Sequence, residues 1–337
     1  MVKLFKKNLL RLMNLSYDEI NYLLILSIKL KQQKEHKKEI KQLYGKNIAL
    51  IFEKNSTRTR CAFEIAAFDQ GANTTYLGLN GNQISNKESI KDTARVLNKI
   101  YDGIQYRGYS QLVLEILANY TKIPIWNGLT TEFHPTQILA DLLTIKEYMP
   151  KKKFNQIKLA YIGDTQNNIS YSLMEAAALT GLDLRLISPY IYWPNKIFVD
   201  TCIKISKKKG GNITVTENIC DGIKYVDFIY TDVWVSMGES EKLWKKKISL
   251  LKEYQVNMKL INKTKNKNVK FLHCLPSFHD NNTIISKRIM NEFNLFGGIE
   301  VTNEVFESKY SIVFEQSENR LHTIKAMIVS SLIDVYK

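Results

Sequence analysis

The sequence predicts an α/β protein made of two doubly wound parallel-sheet domains, with helices on both faces of each sheet. Three observations predict it. The chain has 337 residues, more than one hydrophobic core usually organises. Short apolar runs alternate with stretches of helical periodicity along most of its length, the pattern of parallel strands joined by crossover helices. Polar clusters also recur just past the ends of the apolar runs, the edge at which such sheets bind ligands.

Composition narrows the class further. With 45% hydrophobic and 24% charged residues, the chain has the balance of a soluble globular protein. No run approaches the roughly 18 apolar residues of a membrane span, and Met1 to Lys7 lack the apolar core of a secretion signal. A cytoplasmic protein without membrane contact is expected. Cys61, Cys202, Cys220 and Cys274 form no CxxC pair, which argues against a disulfide scaffold and a zinc knuckle. The five histidines make no HExxH, so no metal site is expected. The net charge of +15 comes mostly from scattered lysine runs such as Lys151-Lys152-Lys153 and Lys245-Lys246-Lys247. They lack interleaved aromatics, so they read as solvated lysines that attract anionic ligands, not as a nucleic-acid site.

Residues 15 to 42 read as a helix, apolar at Leu23, Leu24, Ile28 and Leu30 and lysine-rich afterwards. Ile48 to Phe52 is a buried strand, and a helix follows from Thr57 or Arg58. The join, Ser56-Thr57-Arg58-Thr59-Arg60, places hydroxyls and guanidiniums beside free helix N–H groups, which makes an anion site. An ordinary structural reading stands beside it: Ser56 or Thr57 as a helix cap, Arg60 paired with Glu64, and Arg58 solvated. Thr74 to Leu77 is a second strand. A polar loop containing Gln83 leads to a helix with Ile90, Ala94, Leu97 and Ile100 inside. Tyr101 to Tyr106 is the next strand, with Arg107 at its end. After the strand Ile123 to Trp126, the run His134-Pro135-Thr136-Gln137 enters another helix. His134 and Gln137, three apart at a helix entrance, can reach one small ligand.

Lysines 151 to 153 mark a boundary, giving domains over 1–150 and 151–316 and a C-terminal helix over 317–337 that packs back on the first domain. Ile157 to Asp164 is a strand, followed by an apolar helix. Only Gly163 is present where a dinucleotide site would need GxGxxG, so no organic cofactor is expected. Further strands are expected at 184–187, 213–215, 226–230, 269–272 and 299–301. Two strand ends carry chemistry: Asp232, followed by Ser236-Met237-Gly238, and Cys274 in His273-Cys274-Leu275-Pro276. A buried cysteine is usually an inert small hydrophobe, but at this edge Cys274 is expected to face a ligand. A Cys-His nucleophile would need His134, because His273 points the opposite way if the strand persists. Arg320, near the start of the last helix, reads on its own as a solvated surface residue.

Taken together, Ser56 to Arg60, His134 to Gln137, Asp232 through Gly238, and His273 to Pro276 resemble the signature set of the ornithine carbamoyltransferases. The first two motifs are shared in form with the aspartate carbamoyltransferases. The resemblance covers nearly the whole chain, and four ordered motifs are far more specific than any one of them. It implies carbamoyl transfer from carbamoyl phosphate to the side-chain amine of L-ornithine, giving L-citrulline and phosphate without a cofactor. The same chemistry serves arginine synthesis or, after arginine deiminase, runs in the catabolic direction. It implies carbamoyl phosphate binding by Ser56, Thr57, Arg58, Thr59, Arg107, His134, Gln137, Cys274, Leu275 and Arg320, with Gln83 reaching a neighbouring subunit's site. Ornithine binding falls to Asn168, Asp232, Ser236 and Met237. Arg58, Arg107, His134, Asp232 and Cys274 would carry the catalysis. The family implies a homotrimer, or a dodecamer of trimers, with ordered binding, domain closure and a lid over residues 236–250.

One stretch departs from the family pattern. Ile169-Ser170-Tyr171-Ser172 stands where a Gly-Asn segment is usual, and Gln166 replaces a common arginine. Tyr171 is therefore expected to alter packing near the ornithine site. Two rival readings are a carbamoyltransferase for another amine, such as putrescine, and a non-catalytic anion-binding homologue. Putrescine, with no carboxylate or α-ammonium, has no use for Asp232 and the Ser-Met-Gly loop.

Overall fold

The computed structural model describes residues 2–78, 88–235, 241–293, 295 and 297–334. The chain forms two compact units. The first runs to Tyr148 and takes in the residues from Glu318 onward, and the second spans Met149–Ser317.

In the first unit, α1 (Tyr17–Glu35) is followed by β1 (Asn47–Phe52), α2 (Thr57–Asp69), β2 (Asn73–Leu77), α3 (Ile90–Ile100), β3 (Gly103–Arg107), α4 (Gln111–Asn119), β4 (Ile125–Leu129) and α5 (Pro135–Tyr148). The strands pair in parallel in the order β2-β1-β3-β4. Winding reverses between β1 and β3, so the loops after these two strands flank the switch point. Ala49, Ile51, Ile104, Tyr106 and Ile125 pack with Ala94, Leu97, Leu114 and Leu117 of the covering helices. The helix expected over 15–42 stops at Glu35. Its apolar stripe ends at Leu30, and the lysine-rich continuation has nothing to bury, so Lys37 turns out through φ 55°.

The second unit comprises β5 (Lys158–Ile162), α6 (Asn168–Thr180), β6 (Asp183–Ile187), α7 (Lys196–Lys207), β7 (Ile213–Thr216), α8 (Ile219–Gly222), β8 (Phe228–Thr231), α9 (Glu241–Leu251), α10 (Met258–Lys263), β9 (Lys270–His273), α11 (Ile284–Phe293) and α12 (Asn303–Phe306). Its parallel sheet runs β7-β6-β5-β8-β9, with the switch point between β5 and β8. Residues 299–301, expected as a strand, contribute only a bridge from Val301 to Val256. Gly297 and Gly298 lead in through positive φ and α12 starts at Asn303, leaving too short a run for a ladder.

The last helix, α13 (Val313–Leu332), starts four residues before the expected Ser317. From Glu318 on it is fixed to the first unit. Asn319 Nδ2 donates to Thr144 Oγ1 at 3.0 Å, Lys325 pairs with Asp69 and Glu39, and Trp126 Nε1 donates to Ser331 Oγ at 3.1 Å.

Candidate active site

In the first unit the site begins where β1 feeds α2. Ser56 caps the helix in extended backbone, its Oγ accepting from Thr59 N at 3.2 Å. Thr57 is the exposed first residue of the helix and Arg58 is half-buried. The two arginines of the motif divide the work. Arg60 Nε donates to Glu64 Oε1 at 2.9 Å, and its guanidinium lies 4.0 Å from the Tyr76 ring centroid. That is the structural pairing expected of it.

Thr59 is fully buried, and its hydroxyl oxygen accepts twice: from Arg107 Nη1 at 3.0 Å and from Arg320 Nη2 at 2.6 Å. With both lone pairs engaged, its own proton is directed away from the guanidiniums. α2 comes this close to β4 because Gly128 has no side chain. A Cβ there would lie 2.4 Å from Gln105 Nε2 and 3.1 Å from Thr59 Cγ2. Arg320 is 4% exposed, not the solvated residue that its sequence context alone suggested. The packing of α13 turns it inward.

His134, 4% exposed, sits at the entrance of α5. Arg320 Nη2 lies 3.2 Å from His134 Nε2. A guanidinium only donates, so Nε2 is the acceptor and the ring proton is on Nδ1, 3.4 Å from Thr136 Oγ1. Burial first, then the charges of Arg320, Arg107 and Arg58, hold this imidazole well below its ordinary pKa. It is neutral at physiological pH. Gln137, one turn along, is also buried and donates through Nε2 to Asp141 Oδ1 at 2.9 Å. Lys54 lies over Tyr109 at 4.2 Å, and burial, then Arg107, lower its pKa.

The second unit gathers its chemistry past the ends of β5, β8 and β9. Asn167 caps α6 through Oδ1 to Ser170 N at 2.9 Å and donates through Nδ2 to Tyr161 Oη at 2.6 Å. Asn168 is the half-buried first residue of that helix. Asp232 follows β8. Its Oδ1 accepts from the Cys274 thiol at 3.1 Å and from Val233 N at 2.8 Å. Burial pushes its carboxyl up from the ordinary value, partly offset by His273 and the Cys274 bond.

His273 and Cys274 do not diverge as a continued strand would require. β9 ends at His273, and the side-chain ligand atoms of Asp232, His273 and Cys274 all lie within 4.8 Å of one another. His273 Nδ1 accepts from Leu275 N at 2.9 Å, holding Leu275 at φ 56°. The other ring nitrogen therefore carries the proton and faces Glu300 Oε1 at 3.4 Å. That oxygen also accepts from Ser277 Oγ at 2.9 Å and Phe278 N at 2.6 Å. His273 and Glu300 thus brace the segment carrying Cys274 and Leu275. Neither was among the expected site residues. No local motif marks Glu300, which meets the loop only through the fold.

The two departures from the family pattern are both engaged with the segment around α7. Tyr171 Oη accepts from Asn195 N at 3.0 Å, and its ring lies 4.9 Å from that of Phe198. Gln166 Nε2 donates to Ile191 O at 3.1 Å and Trp193 O at 2.9 Å. Of the expected contacts, Gln83, Ser236 and Met237 lie outside the described residues, as does the start of the expected lid. The rest of that segment forms α9, which Lys247 ties to Asp164 at 3.2 Å.

The arrangement matches known proteins along its whole length. Residues 7–147 match the carbamoyl-P binding domain, and residues 155–331 the Asp/Orn binding domain, of aspartate/ornithine carbamoyltransferase. An ornithine carbamoyltransferase of Blochmanniella floridana is 59% identical over 333 residues, covering 99% of this chain and 96% of its own. The structure of ornithine carbamoyltransferase from Pyrococcus furiosus is similar with a TM-score of 0.89 at 34% identity, covering 98% of this chain and 99% of that one. The anabolic ornithine carbamoyltransferase from Campylobacter jejuni gives 0.83 at 34%, over 96% and 97%. With both halves of the family matched and both clusters in place, the chain belongs to the aspartate/ornithine carbamoyltransferase family.

Proposed function

We propose that this chain transfers the carbamoyl group of carbamoyl phosphate to the side-chain amine of L-ornithine, giving L-citrulline and phosphate. One observation carries this reading: each unit holds a cluster of the charge that its substrate lacks. Arg58, Arg107 and Arg320 converge around Thr59 and His134, and Asp232 with Cys274 forms an acidic pair. The 59% identity to an ornithine carbamoyltransferase gives the acceptor amine.

The phosphate sits at the N-terminus of α2, on Ser56, Thr57, Arg58 and Thr59, with Arg107 shared between phosphate and carbonyl. The carbonyl oxygen takes over the Arg320 donor that Thr59 and His134 share. The neutral ring then exchanges to its Nε2–H tautomer and donates to that oxygen. Gln137 receives the carbamoyl NH₂. Asp232 holds the ornithine α-ammonium with Asn168, Ser236 and Met237 at the amino-acid end, and Cys274 and the backbone of Leu275 orient the attacking amine. The neutral amine forms a C–N bond to the carbonyl carbon, and negative charge builds on oxygen. The C–O bond to phosphate then breaks, and the proton shed by nitrogen leaves with the phosphate. Positioned donors to the oxyanion are each worth roughly 10²–10³ in rate, and orientation supplies much of the remainder. These steps call on no metal or organic cofactor.

Copies of the chain assemble as a homotrimer, and the exposed Ile65 and Phe68, three apart on α2, offer it apolar surface. A mass of three times 39.1 kDa in solution supports the trimer, and twelve times supports a dodecamer built from four trimers. No described helix is long and apolar enough to cross a membrane, and we place the protein in the cytoplasm. Initial rates with ornithine, putrescine and aspartate as acceptors test the assignment. Ornithine should be fastest, and a higher putrescine rate overturns it. Failure to bind carbamoyl phosphate would mark a non-catalytic homologue.

A further inference from the structure

Gln137 and Asp141 lie one turn apart on α5, 1% and 0% exposed, and Gln137 Nε2 donates to Asp141 Oδ1 at 2.9 Å. A primary amide has two ends of opposite character, one donating and one accepting, and the end turned to a ligand decides what it can bind. Left alone, Gln137 could present either. Asp141 Oδ1 accepts from the amide, so the carboxyl holds the NH₂ end. Among the described residues nothing donates to Gln137 Oε1, which leaves the acceptor end for the ligand.

We infer that Asp141 is a positioning residue that fixes the amide of Gln137, so that the first unit presents an acceptor for the carbamoyl NH₂ and selects carbamoyl phosphate over acyl phosphates without an N–H. The inference rests on the function proposed above. Acetyl phosphate is the matching probe: same phosphate, same carbonyl, and a methyl where carbamoyl phosphate has NH₂. Against it Oε1 stays buried and unpaired, a cost that a site built for a hydrogen bond imposes on any ligand lacking the donor. Free phosphate does not reach Gln137 and serves as the internal control.

The experiment compares carbamoyl phosphate, acetyl phosphate and inorganic phosphate binding by calorimetry in the wild-type chain and in Asp141→Asn. An asparagine both donates and accepts, so it no longer dictates which end Gln137 turns inward. The preference for carbamoyl over acetyl phosphate should fall about tenfold, the ratio carried by one hydrogen bond of ordinary net strength, while phosphate affinity stays the same. An unchanged preference, or equal weakening of all three ligands, overturns the inference, the latter because it signals a merely structural role. The second variant combines Gln137→Glu with Asp141→Asn, which restores an acceptor-only group at 137 with a donor behind it. Its preference for carbamoyl phosphate should recover, and equal binding of both acyl phosphates by it also overturns the inference, even if the single variant fails to fold. Failure of the wild-type chain to bind carbamoyl phosphate instead sinks the functional reading, whatever the variants do.

Discussion

The first unit concentrates positive charge in its interior, and the second concentrates a carboxylate, a thiol and a braced histidine. Around Thr59, guanidiniums from β3 and α13 meet on one hydroxyl, and burial together with three arginines forces His134 to stay neutral. Around Asp232, burial raises the carboxyl's pKa, and Cys274 and Val233 donate to it. Each cluster is perturbed in the sense its own substrate would relieve: clustered cations suit a dianion, and a half-buried carboxylate suits an ammonium. Perturbation of this kind marks functional sites. The supports also differ. The cationic cluster is held by helix ends and a long helix returning from the end of the chain. The acidic one is held by a loop whose shape depends on His273 and Glu300.

The widest break in this comparison comes from removing a cation. Arg107→Ala takes one of the two donors from Thr59 and a charge facing both phosphate and carbonyl. We expect kcat/KM for carbamoyl phosphate to fall roughly 10³-fold. A fall below about tenfold would mean that Arg58 and Arg320 suffice. Next in size is Asp232→Asn, expected to cut kcat/KM for ornithine roughly 10²-fold while inorganic phosphate affinity changes less than about twofold. Equal loss for both ligands would show that the two clusters are not separable.

The cationic cluster was legible in the sequence where it is local. Ser56 to Thr59 announces itself because a strand, a cap and a helix start follow one another directly. His134 and Gln137 do so because three-residue spacing on a helix is itself geometry. Arg320 was named only through the family resemblance and not from its own context, since its burial depends on α13 meeting α2 and α5 from far along the chain. His273 looked misdirected because strand alternation was assumed one residue too far. Glu300 and Asp141 carry no motif at all, and their value lies in the partners that the fold delivers. The sheets were readable from apolar runs, whereas 299–301 showed the right residues in too short a segment, and the end of α1 turned on what its lysines could not bury.

Acidity separates the two clusters by sign. His134 has a folded pKa below its unfolded value of about 6.5, so the unfolded chain protonates first. Its contribution to stability is complete above that value and is lost as pH falls from there toward the folded pKa. His322, lowered to about 4 by burial and Lys325, adds to the same limb. Asp232 has a folded pKa above about 3.9, so the native chain keeps its proton longer, and stability declines as pH rises through that window. Thermal melts across pH should show His134→Asn flattening the slope below about pH 6.5. Asp232→Asn should raise Tm at pH 7 by on the order of 2 °C. A lower Tm for the latter would mean that Asp232 stabilises the folded chain.

The smallest effect tests how far the support of the acidic cluster extends. Tyr171, the fourth residue of α6, departs from the family pattern close in sequence to Asn168, and proximity alone would predict a change in ornithine binding. Its hydroxyl instead accepts from Asn195 N and its ring lies against Phe198, so it joins α6 to the start of α7. Tyr171→Asn removes an aromatic contact and one hydrogen bond, together worth about 1–2 kcal/mol. Tm should drop by about 2–6 °C, with ornithine KM unchanged within about twofold. A KM rise without loss of Tm would place Tyr171 in the ornithine site after all, and α7 would then have to be counted among the elements that shape it.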